Sequence, residues 1–233
     1  MRLQPRLVRR IFGLGMSGFI MSATNSAVQI VCNATLSRYG GDLYVGVMTI
    51  INSVREIVTM PVTGITNGAQ PVIGFNYGAG QFARIKKSIA FMSAVCIGYT
   101  ALIWGILHLF PVFFIRIFSD ETALIQATIP SMQIYFFGFF FMSLQFSGQS
   151  TFTAMGKSKQ AIFFSLLRKA FIVIPLTLWL PRFFTPAVNG VFAAEPISNL
   201  IGGTASFVTM LVVVGREIRA ADGSGRKDSR QIS

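Results

Sequence analysis

The chain has 233 residues, 52% of them hydrophobic and only 12% charged, with a mean hydropathy of +0.61. A soluble domain of this size carries about 25% charged residues; half that number cannot solvate a globular surface, so most of this chain is solvated by lipid. The formal charge of +12 would suggest nucleic-acid binding in a soluble protein. The long uncharged stretches exclude that class and point to basic loops beside a membrane.

A helix crosses the hydrocarbon core with about 20 predominantly apolar residues. In chain order, a basic lead-in over 1–10 precedes spans over about 11–37, 43–70, 88–115, 122–154, 159–180 and 187–214, and residues 216–233 read as a disordered basic tail. The chain is thus read as an all-α membrane protein whose six helices form one lobe over 11–215. Barrel strands need only about 10 residues with strict alternation, and these runs are longer and do not alternate. Tyr39-Gly40-Gly41-Asp42, Phe118-Ser119-Asp120-Glu121, Met155-Gly156-Lys157-Ser158 and the stretch from Pro181 to Pro186 supply the turns, with Ser119 or Asp120 expected to cap the fourth helix.

Basic residues sort by side. Arg2, Arg6, Arg9, Arg10, Arg84, Lys86, Lys87, Lys157, Lys159, Arg216, Arg219, Arg226, Lys227 and Arg230 fall on one side, and only Arg38, Arg116 and Arg182 on the other. That bias predicts a multi-pass protein of the plasma (inner) membrane with both termini in the cytoplasm. The opening does not read as a secretory signal, since its apolar stretch is too long and no cleavage signal follows.

Polar residues recur at helical spacing inside the spans. On the first, Ser22, Asn25, Ser26, Gln29 and Asn33 share an arc of roughly 100°. On the second, Asn52, Glu56, Thr59, Thr63, Thr66, Asn67 and Gln70 fall within roughly 120°, and such a stripe must face protein or water rather than lipid. Pro61 is expected to interrupt that helix in mid-membrane, as broken helices do along transport paths. The fourth span offers Gln145, Gln149 and Thr153 below Phe136-Phe137-Gly138-Phe139-Phe140-Phe141. Aromatic rings suit lipophilic cations, but five of them surround the helix, so several simply face lipid.

Arg55, Glu56, Arg168, Lys169 and Glu195 lie near mid-membrane, where an unpaired charge is costly. Arg55 and Glu195 reach similar depths, so Glu195 is expected to pair with Arg55, or with Arg168 or Lys169, as structural partners. Glu56 lies on the polar stripe and Arg55 does not, which makes Glu56 the candidate functional carboxylate. Cys32, Cys96 and His108 sit in apolar runs without disulfide or metal-ligand spacing. Nothing resembles a catalytic constellation, and the glycines between Gly64 and Gly80 lack the lysine and preceding strand of a nucleotide loop. No metal, cofactor or nucleic acid is expected, and no enzymatic activity.

Val54-Arg55-Glu56 through Pro61, followed by Gly68-Ala69-Gln70-Pro71-Val72-Ile73-Gly74-Phe75-Asn76-Tyr77-Gly78-Ala79, resembles the second helix of the C-terminal lobe of the multidrug and toxic compound extrusion (MATE) transporters and the turn after it. Phe118-Ser119-Asp120-Glu121 resembles the turn before that lobe's fourth helix. Leu167-Arg168 with Pro175, and Ala194-Glu195-Pro196-Ile197-Ser198, resemble its last two helices. The resemblance implies one lobe of a twelve-helix antiporter that exports organic cations or drugs in exchange for H+ or Na+. Its partners would be membrane lipid, small organic cations, and an N-terminal six-helix lobe or a second copy of the chain. Some branches of the family hold the coupling cation on carboxylates of this lobe's first and fourth helices. Residues 1–37 and 122–156 here contain no Asp or Glu, which shifts that role to Glu56, to Glu195 or to the other lobe.

The pathway residues expected on these grounds are Asn25, Gln29, Asn33, Asn52, Glu56, Thr59, Thr63, Gln145, Gln149 and Glu195. Two other functions compete: a lipid-linked saccharide flippase, whose cavity should carry more charge than these polar faces, and a half-transporter that acts only as a membrane partner.

Overall fold

The computed structural model describes the backbone of residues 5–231 and the side chains of residues 19–219. Among the described residues nine α-helices follow in order: α1 (Pro5–Gly78), α2 (Phe82–Leu109), α3 (Pro111–Arg116), α4 (Thr122–Tyr135), α5 (Phe140–Ala154), α6 (Ser158–Leu166), α7 (Ile174–Trp179), α8 (Val188–Ser198) and α9 (Thr204–Gln231). Two π-helical segments, Leu167–Val173 and Asn199–Gly203, join α6 to α7 and α8 to α9. No strand occurs among the described residues, and the all-α expectation holds.

Among the described residues, four stretches are long and apolar enough to cross a membrane: Phe19–Gly78, Phe82–Leu109, Ser158–Arg182 and Val188–Arg219. The first is 60 residues long, about 90 Å if straight, three times the hydrocarbon core. It is folded at Gly41, whose φ of 68° and ψ of −166° fit only glycine without strain. Both arms then line the same cavity, Asn25 and Gln29 from one and Asn52 and Glu56 from the other.

Between α4 and α5 the chain bends by 55°. The uncharged run over 122–154 reads as one continuous span, but Gly138 adopts φ 67° and breaks it. The Phe run divides at this break: Phe136 and Phe139 are buried, and Phe137 is exposed. Pro61 does the opposite of what was expected. α1 runs through both Pro61 and Pro71 with helical geometry, and the Tyr99 hydroxyl donates to the Val58 carbonyl at 3.1 Å in the turn that Pro61 disturbs. Neither Ser119 nor Asp120 caps α4. Its N-cap is Glu121, without a side-chain bond, and the Ser119 hydroxyl accepts from the Glu121 amide at 3.2 Å.

Side chains pack into two cores. Leu36, Val47, Ile51, Phe136 and Phe192 centre one, and Val62, Ile85, Met92, Phe152 and Met210 the other. The outer surface is apolar too, with Phe75, Phe91, Leu109 and Phe171 each more than 70% exposed. Large apolar side chains exposed in such number fit a lipid surround. At the end where α5 meets α6, Lys157 pairs with Glu217 of α9. The tail expected to be disordered from 216 continues α9 in its backbone as far as Gln231. Its side chains beyond 219, and those of the basic lead-in, lie outside the described residues.

A charged cavity inside the lobe

The mid-membrane charges gather at one place. Arg55, Glu56, Arg168, Lys169 and Glu195 all line a cavity of about 170 Å³ that also takes in Asn25, Gln29 and Asn52. Both arms of α1, the first π segment, α7, α8 and Tyr135 of α4 form its walls. Asn25, Gln29 and Glu56 are exposed at its mouth, while Arg168 is buried at its back.

Arg168 is held by a short stretch of α8 and the π segment that follows. Its Nη1 donates to Glu195 Oε1 at 2.9 Å and to Asn199 Oδ1 at 2.7 Å, with Ser198 Oγ at 3.5 Å. The side chains of Arg168 and Glu195 are 6% and 12% exposed. Of the pairings open to Glu195, the one formed is with Arg168. Gly202 makes room for it: a Cβ there would meet Arg168 Cγ at 2.8 Å and Cβ at 2.9 Å. Glu56 forms no ion pair among the described residues, so its charge is uncommitted where that of Glu195 is neutralised. The Arg55 Nε is buried without a partner.

The polar stripes divide. Asn25 and Gln29 reach the cavity, but Asn33 is half-buried outside it. Asn52 and Glu56 reach it, and so does Arg55, which the stripe omits. Thr59 and Thr63 do not: their hydroxyls bond back to the carbonyls of Glu56 and Thr59, each at 3.1 Å. Farther along, Thr66 is buried, and its carbonyl accepts from the Ser150 hydroxyl of α5 at 2.9 Å, so this end of the stripe joins helices instead of lining a path. Gln145 and Gln149 also lie away from the cavity, inside the packing around α5, where Gln145 Oε1 and Gln149 Nε2 lack partners. Sequence reasoning missed Tyr135, Thr177 and Cys32 in the walls. Cys32 Sγ lies 3.7 Å from Thr177 Oγ1, and Cys32 could have been found, since it falls one turn beyond Gln29 on the same arm.

Three cationic and two acidic side chains in so small a volume overturn the expectation of a sparsely charged pathway. Helical periodicity resolves the faces of one span at a time, and Arg168, Lys169 and Glu195 belong to no polar stripe of their own. Only the fold brings them against Asn52 and Glu56.

The MatE family model matches residues 19–179. No curated protein matches the chain. Among solved structures, the MATE multidrug transporter DinF-BH in complex with R6G is 32% identical, with a TM-score of 0.74 over 92% of this chain and 47% of its own. A MATE in the bent conformation gives 0.86 at 13% identity, covering 95% of this chain and 49% of the other. A MOP-superfamily transporter from Pyrococcus furiosus gives 0.84 at 13% identity, over 92% and 48%. At 13% identity the likeness is one of fold alone, and the chain spans about half the length of each of these proteins. The chain belongs to the MatE family of membrane transporters, and its fold is that of one lobe of such a transporter.

Proposed function

We propose that the chain is the C-terminal lobe of a secondary active multidrug exporter, in which organic cations leave the cell in exchange for H+ or Na+. The observation that carries this reading is the uncommitted carboxylate of Glu56 at the mouth of the cavity. With Glu195 neutralised by Arg168, Glu56 is the acid free to take up a coupling cation or meet a cationic substrate. The 32% identical relative, a multidrug transporter by its title, supports the same direction. An N-terminal six-helix lobe or a second copy of the chain would complete the path, because alternating access needs two bundles moving about a site between them. The working orientation puts both termini in the cytoplasm at the plasma membrane.

In a complete transporter carrying this lobe, Glu56→Gln removes the charge and keeps the shape. The variant should reach the membrane at normal levels, unfold at the same temperature and lose efflux of ethidium-like dyes. Normal efflux per folded molecule would take Glu56 off the pathway.

The excess of Arg55, Arg168 and Lys169 over two acids favours a second reading, a flippase for an anionic lipid-linked saccharide. Lys169→Gln separates the two. Removing a repelling charge should leave cation efflux intact or raise it, whereas loss of transport would favour the anionic substrate.

A further inference from the structure

α2 and α9 both pack on α5, Met92 and Met210 meeting Phe152 in one core, and they leave a slot between them. It holds about 490 Å³ and is walled by Ile89, Ala94, Ile97, Phe207, Leu211 and Val214. Neither α2 nor α9 contributes to the charged cavity. Along α2 the walls run from Lys86 to Ile97, about 16 Å at 1.5 Å per residue, which is roughly half the hydrocarbon thickness. The slot therefore has the depth of one leaflet.

Its ends differ in chemistry. Lys86 closes one end, where the exposed Lys87 and Arg219 follow the wall residues Lys86 and Ile218 in sequence, and the other is wholly apolar. The nearby acid, Glu217, is already paired with Lys157. Partway along, Ser93 is 5% exposed, and its hydroxyl has no hydrogen-bond partner. On the same helix the Thr100 hydroxyl bonds back to the Cys96 carbonyl at 2.8 Å; that of Ser93 makes no such bond and lines the slot.

We propose that this slot is a binding site for an anionic phospholipid, with one acyl chain between α2 and α9 and the phosphate on Lys86. The Ser93 hydroxyl supplies the donor that an ester carbonyl of that lipid accepts from. A second copy of the chain fits less well, since a two-fold contact here would bring the basic rims together. In the expected orientation Lys86 faces the cytoplasmic leaflet, where anionic lipids attract basic residues.

The test is native mass spectrometry on the purified full chain in detergent, titrated with phosphatidylglycerol and phosphatidylethanolamine of matched chains. One phosphatidylglycerol should be retained in preference to phosphatidylethanolamine. Lys86→Gln should weaken phosphatidylglycerol about fivefold, the worth of one basic residue at an anionic surface, and leave phosphatidylethanolamine unchanged, while Lys86→Arg retains the preference. Ala94→Trp should fill the slot and abolish retention of both lipids. If Ala94→Trp fails to fold, the Lys86 pair decides. Equal retention of the two lipids, an unchanged affinity in Lys86→Gln, or crosslinks between cysteines placed at Leu211 in two copies would each overturn the proposal.

Discussion

The Arg168–Glu195 pair is the most consequential contact in the lobe, and a double-mutant cycle measures it. Glu195→Met leaves a guanidinium 6% exposed, with only the neutral acceptors Asn199 and Ser198 beside it. Breaking a buried pair by removing one partner costs about 3–5 kcal/mol, or roughly 6–20 °C in Tm for a chain of this size. Arg168→Met should fall at the low end of that range, because Arg55 and Lys169 line the same cavity and offset part of the stranded negative charge. The double variant loses both charges together, so it should recover most of the stability and retain a deficit of about 1–3 kcal/mol from the unsatisfied Asn199 side chain, since the Ser198 hydroxyl still donates to the Glu195 carbonyl at 2.8 Å. The chain carries its own reporters, since Cys32 and Cys96 are 8% and 0% exposed. A maleimide that fluoresces on reaction therefore reads unfolding in detergent. A double variant as unstable as the sum of the singles would mean that the two residues act independently, and the reasoning about the pair would be wrong.

Three further outcomes are expected. Gly202→Ala should cost about 1–3 kcal/mol by the same thermal assay, because its methyl meets Arg168 Cβ, which is anchored to the backbone and cannot swing away; an unchanged Tm would show that the π segment yields. Lys157→Met removes a pair whose side chains are 23% and 26% exposed, so it should cost no more than about 1 kcal/mol; a larger loss would make that contact part of the core. Finally, single cysteines placed at Lys86 and Asp120 in a cysteine-free background should react differently with an impermeant maleimide on intact cells, Asp120 labelling and Lys86 not. Strong labelling at Lys86 would invert the orientation that the basic residues imply.

Much of this lobe can be read from residue types alone, because lipid imposes severe rules on what a spanning segment contains. Long uncharged runs mark the helices, and Arg55, Glu56, Arg168, Lys169 and Glu195 stand out as the charges a membrane interior must account for. What periodicity could not distinguish is a hydroxyl facing a cavity from one bonded to its own helix: Asn52 and Thr63 look alike on a helical wheel, yet only Asn52 reaches the site. Nor does hydropathy register a bend. The run over 122–154 is as apolar on either side of Gly138 as across it, and a single glycine carries the signal for a 55° turn. Pro61 misleads in the other direction, since the turn it disturbs is tied at Val58 by Tyr99, 41 positions from Val58 on another helix.

The π segments at Leu167–Val173 and Asn199–Gly203 lie against each other and have a consequence for how the gene can change. Closing i to i+5 instead of i to i+4 stores extra chain within the helix, the trace that a one-residue insertion leaves. Deleting that one residue from either segment would restore plain α-helix and leave everything beyond it in register, whereas a deletion in a plain α-helical stretch turns all that follows by about 100°. Thr177 would therefore stay beside Cys32, and Ser206 and Met210 would stay in the core. What such a deletion alters is the segment itself, which carries Arg168, Lys169 and Asn199. Drift in this gene should therefore tolerate a three-base deletion at these twelve positions, away from those three residues, more readily than within the plain helices.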